Sequence, residues 1–201
     1  MYTLVCFGDS ITAKEQDSNG VLKLTPRLQA GLPNWNVINS GIGGDNTRGA
    51  SKRLQADVLN YVPDLVTVLI GTADASENKG IPIQEYKYNL TSIVEQITPP
   101  KTLLISSPPI DTTRLLARKK ANPRSNFVTI KILEKYVKVA TEVAESTESH
   151  FLNLWSIMRL QSNYSKFLKL KDGVHFNQQG YEFFTPILIE KIKSIETRFG
   201  L

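Results

Sequence analysis

The sequence predicts an α/β protein, a three-layer α/β/α sandwich built on a five-stranded parallel sheet. Short apolar runs alternate with longer segments of helical period, which is the pattern of repeated strand–helix units. One run, Leu65–Ile70, is almost wholly Leu, Val and Ile, as a strand buried on both faces requires. Prolines stand just before two of the runs, at Pro63-Asp64 and at Pro99-Pro100, where they end the preceding helix.

The strand candidates in order are Leu4–Phe7, Val37–Asn39, Leu65–Ile70, Leu103–Ser106 and Phe151–Leu154. Between the third and fourth, Tyr86, Leu90, Ile93, Val94 and Ile97 recur at steps of three and four, one apolar helical stripe. Leu133, Tyr136, Val137, Ala140, Val143 and Ala144 form another before the fifth strand. A last helix carries Phe184, Leu188, Ile192 and Ile195, with Pro186 expected to bend or divide it. Ser107 to Ser125 reads as one long irregular stretch of the kind that forms lids. Right-handed crossovers then give a flavodoxin-like sandwich, and residues 1–201 read as one domain. Ligands of such sheets bind at the carboxyl ends of the strands.

Composition narrows the functional classes. With 41% hydrophobic and 21% charged residues the chain has the balance of an ordinary globular domain. No apolar run reaches the roughly 18–20 residues of a membrane-spanning helix, so no membrane insertion is expected. The N-terminal Met1–Phe7 segment lacks the features of a cleavable leader, and a cytoplasmic location is the expectation. The one cysteine, Cys6, reads as a small core residue rather than a reactive thiol. The net charge of +5 is densest between Arg114 and Arg124, but no aromatics interleave there. A solvated face explains it better than a nucleic-acid partner.

The reactive residues fall at the expected ligand edge. Ser10 lies just past the first strand in Gly8-Asp9-Ser10-Ile11-Thr12, with its N–H near a helix start. A serine nucleophile requires a base, usually a histidine held by a carboxylate. Of the two histidines, His150 opens the fifth strand and reads as structural. His175 follows Asp172 by three residues in a Gly-containing loop before the last helix, close enough for the carboxylate to reach imidazole Nδ1. Two further loops share the edge: Asn39 to Thr47, rich in glycine, and Gly71-Thr72-Ala73-Asp74. A phosphate cradle in the first is disfavoured, because no Gly-Lys-Ser/Thr follows it.

These four blocks, in this order, resemble the GDSL or SGNH hydrolase superfamily over essentially the whole chain. The likeness is greatest to its compact bacterial esterases and acylhydrolases, including hydrolases of small acetate esters. The resemblance implies Ser10 as nucleophile, His175 as general base and Asp172 as its orienting carboxylate. It implies oxyanion donors from the N–H groups of Ser10 and Gly44, with Gly41 the competing glycine, and loop-holding roles for Asp9 and Asp74. The family's third block normally reads Gly-x-Asn-Asp, and its Asn amide is a third donor. Here that position is Ala73, whose methyl donates nothing.

The implied function is hydrolysis of small, short-acyl carboxylic esters through an acyl-Ser10 intermediate, weakened by Ala73. Neither metal nor organic cofactor is expected, and the expected partner is a small-molecule ester. The alternatives are a lysophospholipase, thioesterase or carbohydrate acetylesterase of the same family, or a nearly inactive ester-binding protein.

Overall fold

A computed structural model describes residues 1–199. Five parallel strands form one sheet in the order β2-β1-β3-β4-β5: β1 Tyr2–Gly8, β2 Trp35–Gly41, β3 Leu65–Leu69, β4 Thr102–Ile105 and β5 His150–Leu152. The inner strands β3 and β4 are buried at every residue because helices cover both faces of the sheet.

Among the described residues there are seven α-helices in chain order: α1 Leu24–Gly31, α2 Thr47–Asp57, α3 Ile83–Ile97, α4 Thr112–Ala121, α5 Ile130–Thr147, α6 Leu154–Arg159 and α7 Gln178–Phe199. One core joins Leu4, Cys6, Leu65 and Leu103 to α1, α6 and α7. On the opposite face Val5, Phe7, Val66 and Val68 pack against α2, α3 and α5. The alternation of Leu4/Val5 and Cys6/Phe7 between these two cores is the period-2 geometry of β1.

Several sequence readings change. No helix starts beside Ser10: the chain leaves β1 through turns, and the first helix begins only at Leu24. The stretch from Ser107 to Ser125 is not irregular throughout, since α4 occupies its middle. Asp111 caps α4 by accepting from the Arg114 N–H (3.1 Å), and Arg118, Lys119 and Lys120 lie in its last turn, where cations suit the helix dipole. Only Leu115 of this helix is buried, so it has no apolar stripe to betray it. Pro186 lies inside α7 without dividing it. The fifth strand ends at Leu152, because the Asn153 side chain caps α6, which starts at Leu154 (Ser156 N–H to Oδ1, 2.9 Å). Among the described residues, no helix is long and apolar enough to cross a membrane.

Candidate active site

The carboxyl ends of β1, β2 and β3 converge closely. A Cβ on Gly8 would lie 2.5 Å from the Leu69 carbonyl, so only glycine lets the first turn leave the sheet there. Asp9 then holds the turn from inside, its Oδ1 accepting from the Ile11 N–H (3.0 Å). Burial pushes the Asp9 carboxyl up to about 6, against the opposing pull of the Ile11 N–H and of His175.

Ser10 meets His175 at this edge. His175 Nε2 lies 2.8 Å from Ser10 Oγ, and His175 Nδ1 lies 2.9 Å from Asp172 Oδ2. Asp172 Oδ1 also accepts from the N–H groups of Val174 (2.9 Å) and His175 (3.0 Å), so one carboxylate fixes both ring and loop. Burial raises the Asp172 carboxyl, but its bonds to the His175 ring and to the two N–H groups outweigh that and hold it near 2. An ionised Asp172 keeps the proton on Nδ1 and leaves Nε2 to accept from the Ser10 hydroxyl.

The glycine loop and the third-strand loop close the site from the other side. Gly41 has its N–H engaged by Asn39 Oδ1 (3.0 Å). Among the described residues the N–H groups of Ser10 and Gly44 have no protein acceptor. Ser10, Gly44, Ala73 and His175 all line one cavity of about 370 Å³. Leu115, Phe127, Val128 and Val174 supply its apolar wall, and Lys79 and Arg118 its cations. Asp74, fully buried behind Ala73, accepts at Oδ1 from both the N–H (2.9 Å) and the hydroxyl (2.6 Å) of Thr47. Its Oδ2 has no partner among the described residues, and burial pushes this carboxyl up to about 6. Asp9 and Asp74 thus hold loops, as their sequence positions suggest.

His150 stands at the start of β5, the opposite end of that strand from the ligand edge. Burial pushes the Cys6 thiol up to about 12, so it carries no thiolate at neutral pH. No group of three or more His, Cys, Asp or Glu with metal-site geometry occurs among the described residues.

Sequence reasoning missed two cations that assemble this edge. Lys23 Nζ donates to the carbonyls of Ser10 (2.8 Å) and Ala13, beneath the turn that carries Ser10. Burial brings this ammonium down to about 8. Arg53 donates to the carbonyls of Gly8 (3.1 Å) and Ser40 (2.8 Å) and to Asp45 (2.8 Å), tying β1, β2 and the glycine loop together. Neither carries a signal in the sequence, because both act on backbone carbonyls far away along the chain.

A parallel sheet with a serine, histidine and aspartate in hydrogen-bonded series at its carboxyl edge has the arrangement found in serine hydrolases. The chain belongs to the GDSL-like lipase/acylhydrolase family, whose profile matches residues 6–183. It is similar to the isoamyl acetate-hydrolyzing esterase 1 homolog of Homo sapiens, with 28% identity over 216 residues, covering 96% of this chain and 83% of that one. The crystal structure of the lipase/acylhydrolase from Enterococcus faecalis superposes with a TM-score of 0.83 at 30% identity, covering 96% of each chain. An acetylxylan esterase of Geobacillus stearothermophilus is 26% identical over 136 residues, covering 63% of this chain and 58% of that one.

Proposed function

We propose that residues 1–201 act as one hydrolase domain that cleaves small, short-acyl carboxylic esters through an acyl-Ser10 intermediate. His175 Nε2 takes the Ser10 proton as Oγ attacks the ester carbon. The N–H groups of Ser10 and Gly44 receive the developing oxyanion. Collapse of the tetrahedral adduct expels the alcohol oxygen, which takes the proton back from His175. Water then repeats the sequence on the acyl-enzyme and releases the acid.

The observation that carries this reading is the continuous series Ser10 Oγ, His175 Nε2, His175 Nδ1, Asp172 Oδ2, with links of 2.8 and 2.9 Å. Short acyl groups suit a cavity of about 370 Å³ whose apolar wall is only a few side chains. The names of two relatives, an isoamyl acetate-hydrolyzing esterase homolog and an acetylxylan esterase, support acetate-sized acyl groups. A cytoplasmic setting belongs to the same reading, since one buried cysteine calls for no oxidising compartment.

Ala73 favours a second reading, an ester-binding protein with little turnover, because a methyl stands where the family has an amide donor. A fluorophosphonate probe separates the two. We expect labelling at Ser10, located by mass spectrometry and lost in Ser10→Ala, together with faster hydrolysis of acetate and butyrate esters than of esters of ten or more carbons. Labelling at another serine would sink the nucleophile assignment. A folded protein that resists the probe would favour the binding reading.

A further inference from the structure

Two cations on the wall of the Ser10 cavity lack a carboxylate partner among the described residues. Lys79 Nζ donates to the Gly44 carbonyl (2.7 Å), which holds the ammonium at the glycine loop. Arg118 reaches in from α4, where Nη2 donates to the Asn126 carbonyl (2.8 Å). Its Nε is buried and has no acceptor. A buried N–H of a charged group without a partner is costly and calls for an explanation. The neighbouring Lys119, by contrast, is matched by Glu77 (3.1 Å). One acid, Asp9, faces the same cavity, and it is buried under the Ser10 turn.

We infer that this cavity selects small esters that bear a carboxylate of their own, with the Arg118 guanidinium as the recognising group and Lys79 as the second positive charge. The inference rests on the esterase reading for its chemistry, but not for its binding. A guanidinium fork pairs with a carboxylate through parallel, charge-assisted hydrogen bonds, and Arg118 Nη1 makes no hydrogen bond among the described residues. The apolar side chains of Leu115 and Val174 line the same cavity and suit a short methylene spacer. The protein's own carboxylates leave these two cations unneutralised among the described residues, so an anionic ester would supply the missing partner.

The test uses the Ser10→Ala full chain, which binds esters without consuming them. Dissociation constants are measured by NMR titration for two acid–methyl ester pairs. Monomethyl succinate against dimethyl succinate places the charge on the acyl arm. Acetoxyacetate against methyl acetoxyacetate places it on the alcohol arm. The anion of one pair should bind at least about tenfold tighter than its neutral ester, the scale of one charge-assisted hydrogen bond. That pair identifies the arm that Arg118 reads. The preference should shrink as salt rises from about 0.05 to 0.5 M. It should fall to within about twofold in Arg118→Gln and persist in part in Arg118→Lys, which keeps the charge and loses the fork. Lys79→Gln, at an exposed site that leaves the Arg118–Asn126 tie intact, should cut it by about threefold. Equal affinity for acid and ester in both pairs, or a preference that survives both Arg118→Gln and Lys79→Gln, overturns the inference. If the wild-type chain hydrolyses none of these esters yet binds the anion selectively, the hydrolysis reading falls and this one stands.

Discussion

Two aspartates flank Ser10 from opposite sides, and the protein treats them in opposite ways. Asp172 is given three donors on its two oxygens and is held near 2. Asp74 is given two donors on one oxygen, the other is buried bare, and the carboxyl rises to about 6. The loop that holds the His175 ring is therefore fully satisfied, whereas the loop after β3 leaves one buried carboxylate oxygen without a partner among the described residues. On the proposed mechanism the difference separates two tasks: Asp172 serves the proton transfer from Ser10, and the loop of Ala73 and Asp74 lies beside the oxyanion.

The sharpest way to break this comparison is at Asp172. Asp172→Asn keeps the side-chain shape but presents an amide to Nδ1, favouring the wrong tautomer, and should lower kcat by about 10⁴. Steady-state kinetics on a short-acyl ester checks this, and a loss below tenfold would mean that Asp172 does not orient the imidazole. At the other loop, Ala73→Asn should raise kcat by about 10²–10³ with little change in KM, since an added oxyanion donor acts mainly in the transition state. An unchanged kcat in a folded variant that labels at Ser10 would remove Ala73 from the oxyanion hole.

The smallest effect is on stability. Asp9 and Asp74 sit near 6 in the folded chain, above the ordinary 3.8, so between these values the folded state binds more protons than the unfolded one. Their contribution to stability therefore grows as pH falls from 7 toward 4. Asp172 runs the other way: its contribution is complete above 3.8 and is lost as pH falls toward 2. From pH 7 to pH 5 the raised pair should add about 2 kcal/mol, or about 5 °C in Tm by calorimetry. Asp74→Asn should remove about half of that rise. A Tm that falls steadily over this interval would contradict the raised carboxyls.

What the sequence made legible follows the range of the forces involved. β3 reads directly because burial on both faces leaves an apolar run from Leu65 to Leu69 broken only by Thr67, and α3 and α5 read because each lays one stripe on the sheet. Ser10 and His175 were findable because the chain has only two histidines and just one follows an aspartate by three residues in a loop before the last helix. Ala73 stood out as a departure from a pattern. Helix α4 was hidden, since a cap at Asp111 and a single buried leucine leave no periodicity. Lys23, Arg53, Lys79 and Arg118 were hidden for a different reason. Their partners are carbonyls of Ser10, Gly8, Gly44 and Asn126, and backbone acceptors are the same at every position of a sequence.

The Ser10–His175 hydrogen bond spans 165 positions of the chain, and the unengaged N–H groups beside it, of Ser10 and Gly44, come from the loops after β1 and β2. On the proposed mechanism residue 175 must be made before Ser10 can meet its base, and Ser10 is an ordinary alcohol until the sheet, with its strand order β2-β1-β3-β4-β5, has closed. Reactivity and completed folding then arrive together, so covalent probe labelling at Ser10 would count finished molecules during refolding, and a nascent chain that ends before His175 would stay silent.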